Sequence, residues 1–305
     1  MTSSSPLPAI GSPSLRLSVI LPVTHSWPAL AVALESSVRQ DFDEPFEVVV
    51  VDGHGAALDR EPQPPVRWIR APGADVFALR AIGASEARGE IVLFNEDHCV
   101  VPPDWCARVS AAHMANTTPI LIGEVRNHVD SSRRAVDRAN FALTCGPFAP
   151  PLSAVPRWRL PIPTNLSIKR TAFPVARPAD GWIEYELLAD GLARGTIGVA
   201  TDTAIDHLQH WGMLMAVIVH FASGRSYGAW IRQWPRTRRR DWWRQVASQT
   251  GRLYRSTVPV IENHGAGARS SWADRCWLWA LVLANSAGQM TGALVGSGSS
   301  RRHLV

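Results

Sequence analysis

Ala87-Arg-Gly-Glu-Ile-Val-Leu-Phe-Asn-Glu-Asp-His98 contains an apolar run, Ile91–Phe94, that passes without glycine or proline into two adjacent acids and a histidine. A buried strand ending in ionisable side chains delivers them to the rim of a sheet, and in open α/β sheets ligands sit at that rim. Two neighbouring carboxylates repel each other, so a fold that keeps them together gives them a cation to share. The stretch predicts a divalent metal site for a phosphate-bearing substrate.

Upstream, residues 15–23 read as a buried strand and 27–40 as the helix after it, with Leu30, Val32, Leu34 and Val38 at helical spacing. Residues 46–51 form a second apolar strand, stopped by Asp52-Gly-His-Gly55, and the proline- and charge-rich 56–65 reads as loop. A short strand, 66–70, and a helix, 76–86, complete the approach to the opening stretch. Strand, helix, strand, strand, helix, strand, with continuous apolar strands, is the pattern of a largely parallel sheet covered on both faces. Right-handed crossovers then bring Thr24, Asp52, Glu96 and Asp97 to one rim.

Downstream, a helix to about 116 and a strand, 119–125, follow Pro102-Pro-Asp-Trp105. Residues 126–160 show few periods and many prolines, and are expected to be an active-site flap or acceptor loop. A strand over 163–169 comes next, then Gly181-Trp-Ile-Glu-Tyr-Glu186 leading into a helix, 187–194, ended by Gly195. A last strand spans 196–204, with Asp206-His207 after it.

The 305 residues are 46% hydrophobic and 19% charged, a globular profile rather than a disordered one. The net charge of +5 is carried almost wholly by arginine, since Lys169 is the only lysine. Arginine favours bidentate contacts to phosphate and carboxylate, although genomic base composition enriches it equally well. None of Cys99, Cys106, Cys145 and Cys276 forms a C-x-x-C pair, which excludes a zinc ribbon and a dithiol redox motif. So few cysteines in a long chain fit a reducing compartment. Residues 1–14 read as a flexible Ser/Pro-rich leader, and the apolar run 17–23 is too short for a secretion signal, so a cytoplasmic location is expected.

Taken in order, Ser18-Val-Ile-Leu-Pro22, Glu47-Val-Val-Val-Val-Asp52-Gly, Leu79-Arg80-Ala-Ile-Gly83 with 87–98, Pro102-Pro-Asp-Trp105, Thr164-Asn-Leu-Ser-Ile-Lys-Arg170 and Trp182-Ile-Glu-Tyr-Glu-Leu187 resemble a family 2 glycosyltransferase of the GT-A fold. The resemblance covers residues 15–224, a GT-A catalytic domain, and leaves 225–305 as a helical extension. It implies a metal-dependent, inverting transfer from a nucleotide-diphosphate sugar to a glycan or lipid-linked acceptor, in cell-envelope or polysaccharide synthesis. Glu96-Asp97-His98 stands where the family carries its D-x-D metal motif. Mn²⁺ or Mg²⁺ is expected there, held mainly by Asp97 with His98 and His207, and Glu96 nearer the sugar; His210 is the alternative to His207. Imidazole suits Mn²⁺ better than Mg²⁺, which prefers oxygen. Ile183 falls at the first acid of the family's acidic pair and Glu184 at the second, which makes Glu184 the expected base and Glu186 its rival. Thr24, Asp52 and Arg80 are the expected nucleoside contacts. The competing readings are a non-catalytic relative that binds a nucleotide sugar or a membrane, motivated by His98 and Ile183, and a nucleotidyltransferase. The latter calls for a Gly-rich, Lys-bearing loop after the first strand, which Leu21-Pro-Val-Thr24 does not provide.

From Arg225 to Arg255 nine arginines face a single acid, Asp241, with Trp230, Trp234, Trp242 and Trp243 between them. This composition suits an anionic membrane surface, a peripheral attachment at the inner face of the cell membrane. Basic and aromatic residues also suit single-stranded nucleic acid, but nothing else here resembles a nucleic-acid module and none is expected as partner. The charge-free tail, 276–300, exceeds the roughly 20 residues of a bilayer span. Asn285, Ser286, Gln289 and the glycines between 288 and 298 make it a poor membrane helix, so a buried or interfacial helix is expected.

Overall fold

The computed structural model describes residues 15–24, 29–55, 63–156, 159–173, 181–208, 211–233, 242–264 and 271–304. The elements are β1 (Leu17–Val23), α1 (Ala29–Val38), β2 (Phe46–Asp52), β3 (Val66–Arg70), α2 (Val76–Glu86), β4 (Ile91–Phe94), β5 (Cys99–Val100), α3 (Trp105–Ala115) and β6 (Ile120–Asn127). They continue with α4 (Ala135–Thr144), β7 (Leu166–Lys169), α5 (Leu188–Arg194), β8 (Ile197–His207), α6 (Met213–Gln233), α7 (Trp242–His264) and α8 (Trp272–Val295). The leader, residues 25–28 at the expected start of α1, His210, Trp234 and the arginines of 236–240 lie outside the described residues.

Among the described residues the strands form one eight-stranded sheet in the order β3-β2-β1-β4-β7-β6-β8-β5. β3, β2, β1 and β4 are parallel neighbours, as their continuous apolar runs predict. The other half is mixed: β7 runs antiparallel to both β4 and β6, and β5 antiparallel to β8. Every residue of β1 and of β4 is buried, because helices cover both faces. One core places Leu17, Val19, Leu21, Leu93 and Trp105 on one face; a second places Ile20, Val49, Val51, Leu79 and Phe94 on the other. Asp75 starts α2 by accepting from the Ala78 N–H at 3.0 Å, satisfying one of the donors a helix start leaves unpaired.

Three sequence expectations change. Residues 126–160 are not a structureless flap: they contain two 3₁₀ turns, Val129–Ser132 and Gly146–Phe148, and the helix α4. Its Val136, Ala139, Ala142 and Leu143 pack on Leu253, Leu278, Leu281 and Val282 of the C-terminal helices, partners that lie more than 100 residues away in the chain. β8 extends through His207, so Asp206 and His207 lie within a strand rather than after one. α6 runs straight through the expected domain boundary at 224/225.

The glycines of the tail have a packing role. A Cβ on Gly224 or Gly228 of α6 would stand 2.0 Å from the carbonyl oxygen of Asn285 or Gln289, and one on Gly288 or Gly292 of α8 would meet Phe221 or Arg225 at 2.0 or 1.9 Å. Paired Gly-x-x-x-Gly faces let the two backbones touch. α8 is long and apolar enough to cross a membrane by length and composition, yet one side of it is used in this way.

Candidate active site

β4 ends at Phe94, and the chain then turns, the Cys99 N–H bonding to the Glu96 carbonyl at 3.0 Å, into the two-residue β5. The β5–β8 register sets Cys99 opposite His207, and the Leu208 N–H closes on the His98 carbonyl at 2.9 Å. Backbone pairing thus joins the opening stretch to a residue more than 100 positions later. Glu96, His98, Cys99 and His207 each offer one ligand atom, and all four atoms lie within 4.8 Å of one another. His98 Nε2 is 3.1 Å from His207 Nε2 and 3.4 Å from Glu96 Oε2, His207 Nε2 is 3.5 Å from Glu96 Oε2, and Cys99 Sγ is 3.9 Å from it. Tetrahedral coordination with bonds of about 2.0–2.3 Å has edges of roughly 3.3–3.7 Å, a spacing that Glu96, His98 and His207 approach and that Cys99 stands just outside.

Asp97, expected as the main ligand, is not among the converging donors. Its Oδ2 accepts from the Thr24 N–H at 2.6 Å and the Thr24 hydroxyl at 3.1 Å, and its Oδ1 pairs with His98 Nδ1 at 2.8 Å. A carboxylate behind one ring nitrogen orients the imidazole and turns the other nitrogen toward the centre, the arrangement common behind metal-bound histidines.

The site is polarised before any cation enters. Burial raises the Glu96 pKa, but the His207 hydrogen bond and the charges of His98 and Arg80 outweigh it and hold the carboxyl at about 2. Burial lowers the His207 pKa, whereas Cys145 and Glu96 beside it more than offset that and raise it to about 9. Burial, with Glu96 and Asp97 nearby, pushes the Cys99 thiol well above its ordinary value. Cys99 would thus ligate only a cation able to displace its proton.

Arg80, expected beside the nucleoside, bridges two carboxylates. Its Nη2 donates to Glu96 Oε1 at 2.8 Å and its Nη1 to Glu184 Oε1 at 3.0 Å, with all three side chains buried. Glu184 lies in a π-helical turn, Trp182–Leu187, that precedes α5; such turns recur at functional sites. The turn buries Ile183 in the core, directs Glu184 inward and leaves Glu186 exposed. Burial raises the Glu184 pKa, with Arg80 opposing it, and Glu184 Oε2 has no hydrogen-bond partner. Asp52 sits at the end of β2, fully buried. Its Oδ1 accepts from the N–H groups of His54 and Gly55, both at 2.9 Å, and its Oδ2 has no partner.

The structure therefore brings Thr24, Asp97, His98, His207, Glu96, Arg80 and Glu184 into one connected network, with Asp52 on the same rim two strands away. Cys99 was missed as a donor, although its place directly after Glu96-Asp97-His98 was visible; a two-residue strand has no period to read. The basic segment after 224 is partly committed inside the protein. Arg225 and Arg232 bond to the carbonyls of Gly296, Ala293 and Leu294 at the end of α8, and Trp230 stacks on Tyr185 at 5.1 Å.

The family model for glycosyl transferase family 2 matches residues 18–173. No curated protein matches the sequence. The crystal structure of S. aureus TarS 1–349 in complex with UDP-GlcNAc superposes with a TM-score of 0.50 at 14% identity, over 95% of this chain and 93% of that one. The complex of TarS 1–349 with UDP gives 0.46 at 15% identity, over 82% and 72%. A longer S. aureus TarS structure gives 0.46 at 15% identity over 84% of this chain, which spans 44% of it. At these identities the likeness is one of fold, a mixed sheet with helices of the GT-A type and a helical C-terminal region.

Proposed function

The chain belongs to glycosyl transferase family 2, and from that premise we propose that it moves a sugar from a nucleotide-diphosphate donor to an acceptor hydroxyl with inversion at the anomeric carbon. The observation that carries this reading is the Glu96–Arg80–Glu184 bridge, which holds a buried carboxylate with one unpartnered oxygen beside the cluster of metal donors. Glu184 takes the proton of the acceptor hydroxyl as its oxygen bonds to the anomeric carbon. The bond to the diphosphate breaks on the opposite face, and its electron pair leaves with the diphosphate. The donor's nucleoside end meets Thr24 and the open Oδ2 of Asp52 at the strand ends. A divalent ion at the site would offset charge on the departing diphosphate.

Glu96, His98 and His207 would hold that ion, with Cys99 able to join them and Asp97 orienting His98. Imidazole and thiol donors favour Mn²⁺ or a softer ion over Mg²⁺. Removal of divalent ions with a chelator is expected to stop transfer, and Mn²⁺ to restore it more fully than Mg²⁺ at equal concentration. Equal rescue by both ions would count against this donor set.

The principal test is Glu184→Gln, with UDP-GlcNAc as the first donor because the TarS fold relative was crystallised with it. The variant is expected to keep donor binding and lose transfer by roughly 10²- to 10⁴-fold; normal transfer would remove Glu184 as the base. Binding of a nucleotide sugar by the wild-type chain, with neither transfer nor slow donor hydrolysis, would favour a non-catalytic role. Arg244, Arg252 and Arg255 on α7, with Trp272, Trp279 and Leu283 exposed on α8, support an anionic membrane surface as the place of action.

A further inference from the structure

Behind Glu184 lies a cavity of about 230 Å³, between the sheet and the C-terminal helices. Arg80 and Glu184 line it on the catalytic side, and Phe77, Tyr185 and Tyr227 supply aromatic walls. Gln249 of α7 and Gln289 of α8 also line it; the side-chain oxygen of each is buried without a hydrogen-bond partner, and Gln289 is 4% exposed. A mostly apolar hollow with a few unmatched polar atoms is the usual form of a small-molecule site. Buried acceptors without donors are costly unless a ligand supplies them.

Among the described residues that line this cavity, one cation stands apart from any acid. Arg80 is held between Glu96 and Glu184. His220 Nε2–H donates to Asn140 Oδ1 at 2.7 Å, and burial, with Arg159 nearby, lowers its pKa to about 3, so it is neutral. Arg159 also lines the cavity. It bonds to the Leu143 carbonyl, and among the described residues no carboxylate pairs with it. Burial lowers its pKa to about 10, which leaves it cationic at neutral pH. A partly buried guanidinium without a carboxylate partner keeps its charge open to a ligand, and its planar fork matches the oxygens of a phosphate or a carboxylate.

We propose that this cavity is the acceptor site and that the acceptor is a polyhydroxylated molecule bearing an oxyanion, a phosphate or a carboxylate, that Arg159 binds. The ligand's hydroxyls donate to the oxygens of Gln249 and Gln289, and one further hydroxyl reaches Glu184 Oε2. The C-terminal helices thereby select the acceptor, while the sheet rim holds the donor. This inference rests on the transferase reading above, and it adds the substrate's charge and the residue that reads it.

The test uses the full chain with Mn²⁺ and a donor that it hydrolyses slowly in the absence of acceptor. Glucose, glucose 6-phosphate and glucuronic acid are compared as acceptors, and as ligands in thermal-shift titrations without donor. The two anionic sugars are expected to bind and to accept better than glucose, and whichever does so more strongly distinguishes phosphate from carboxylate. Arg159→Gln should raise KM for the anionic sugar by roughly 10- to 100-fold, the weight of one charge-assisted contact. It should leave donor hydrolysis unchanged, which also shows that the variant is folded, and Arg159→Lys should recover part of the loss. Intact donor hydrolysis with no preference for anionic over neutral sugars, or with no effect of Arg159→Gln, overturns this inference alone. Absence of both donor binding and donor hydrolysis overturns the transferase reading and this one with it.

Discussion

Glu184 shares one guanidinium with Glu96, yet the two carboxyls are driven in opposite directions. Glu96 has two histidines and Arg80 around it and is held at about 2, whereas burial dominates at Glu184 and raises its pKa. A base must be ionised to accept a proton, so activity is lost as pH falls through the Glu184 pKa. The acid limb of kcat/KM is therefore expected above the ordinary carboxylate value of 4.5. A pH–rate profile measures it, and replacing Arg80 with Gln should move that limb further upward, because the cation that opposes the burial effect is gone. A limb at or below 4.5 would assign the titration to another group. The sequence favoured Glu184 over Glu186, and the turn buries the first and leaves the second exposed. It did not reveal that Thr24 would occupy one oxygen of Asp97, because a hydrogen bond between residues 73 positions apart leaves no local mark.

Among the elements, α6 and α8 are matched through backbone contact. Gly224 and Gly228 face the Asn285 and Gln289 carbonyls, while Gly288 and Gly292 face those of Phe221 and Arg225. Gly228→Leu is expected to push the helices apart and to cost about 1–3 kcal/mol or more, since the obstacle is a rigid carbonyl rather than a mobile side-chain end. Denaturant unfolding measures the loss. Because Gln289 belongs to the same contact and lines the cavity, acceptor binding should weaken along with stability. In the sequence Gly288 and Gly292 argued only against a membrane helix. Their spacing was legible, but the partner helix that gives the spacing meaning was not.

Across the whole molecule, α4 is the piece of the catalytic half that the C-terminal helices complete. Val136, Ala139, Ala142 and Leu143 share one core with Leu253, Ile261, Leu278 and Leu281, and Arg138 pairs with the buried Asp274 at 2.7 Å. The chain is therefore expected to unfold in one cooperative transition. Leu278→Ala, at a fully buried position, should lower the stability of the whole by about 2–5 kcal/mol rather than release the helices separately. Calorimetry that resolves two transitions would contradict this. The first six elements, from β1 to β4, followed from the sequence because continuous apolar strands and helical spacing are local properties. So did the rim that collects Thr24, Asp52 and Glu96, since parallel strands with right-handed crossovers leave little choice of side.

By itself, the sequence determined the parallel half of the sheet and the family, and it singled out Glu184 as the residue to test as base. Tertiary structure alone decided the donor set around Glu96 and the cavity behind Glu184. β5 is too short to show a period, and only its pairing with β8 sets Cys99 opposite His207. Arg159 stands in a proline-rich stretch that carries no pattern, and only the folded structure shows that it lines the cavity and that, among the described residues, no carboxylate pairs with it. Periodicity reports which face a residue presents; it does not report what the opposite face will be.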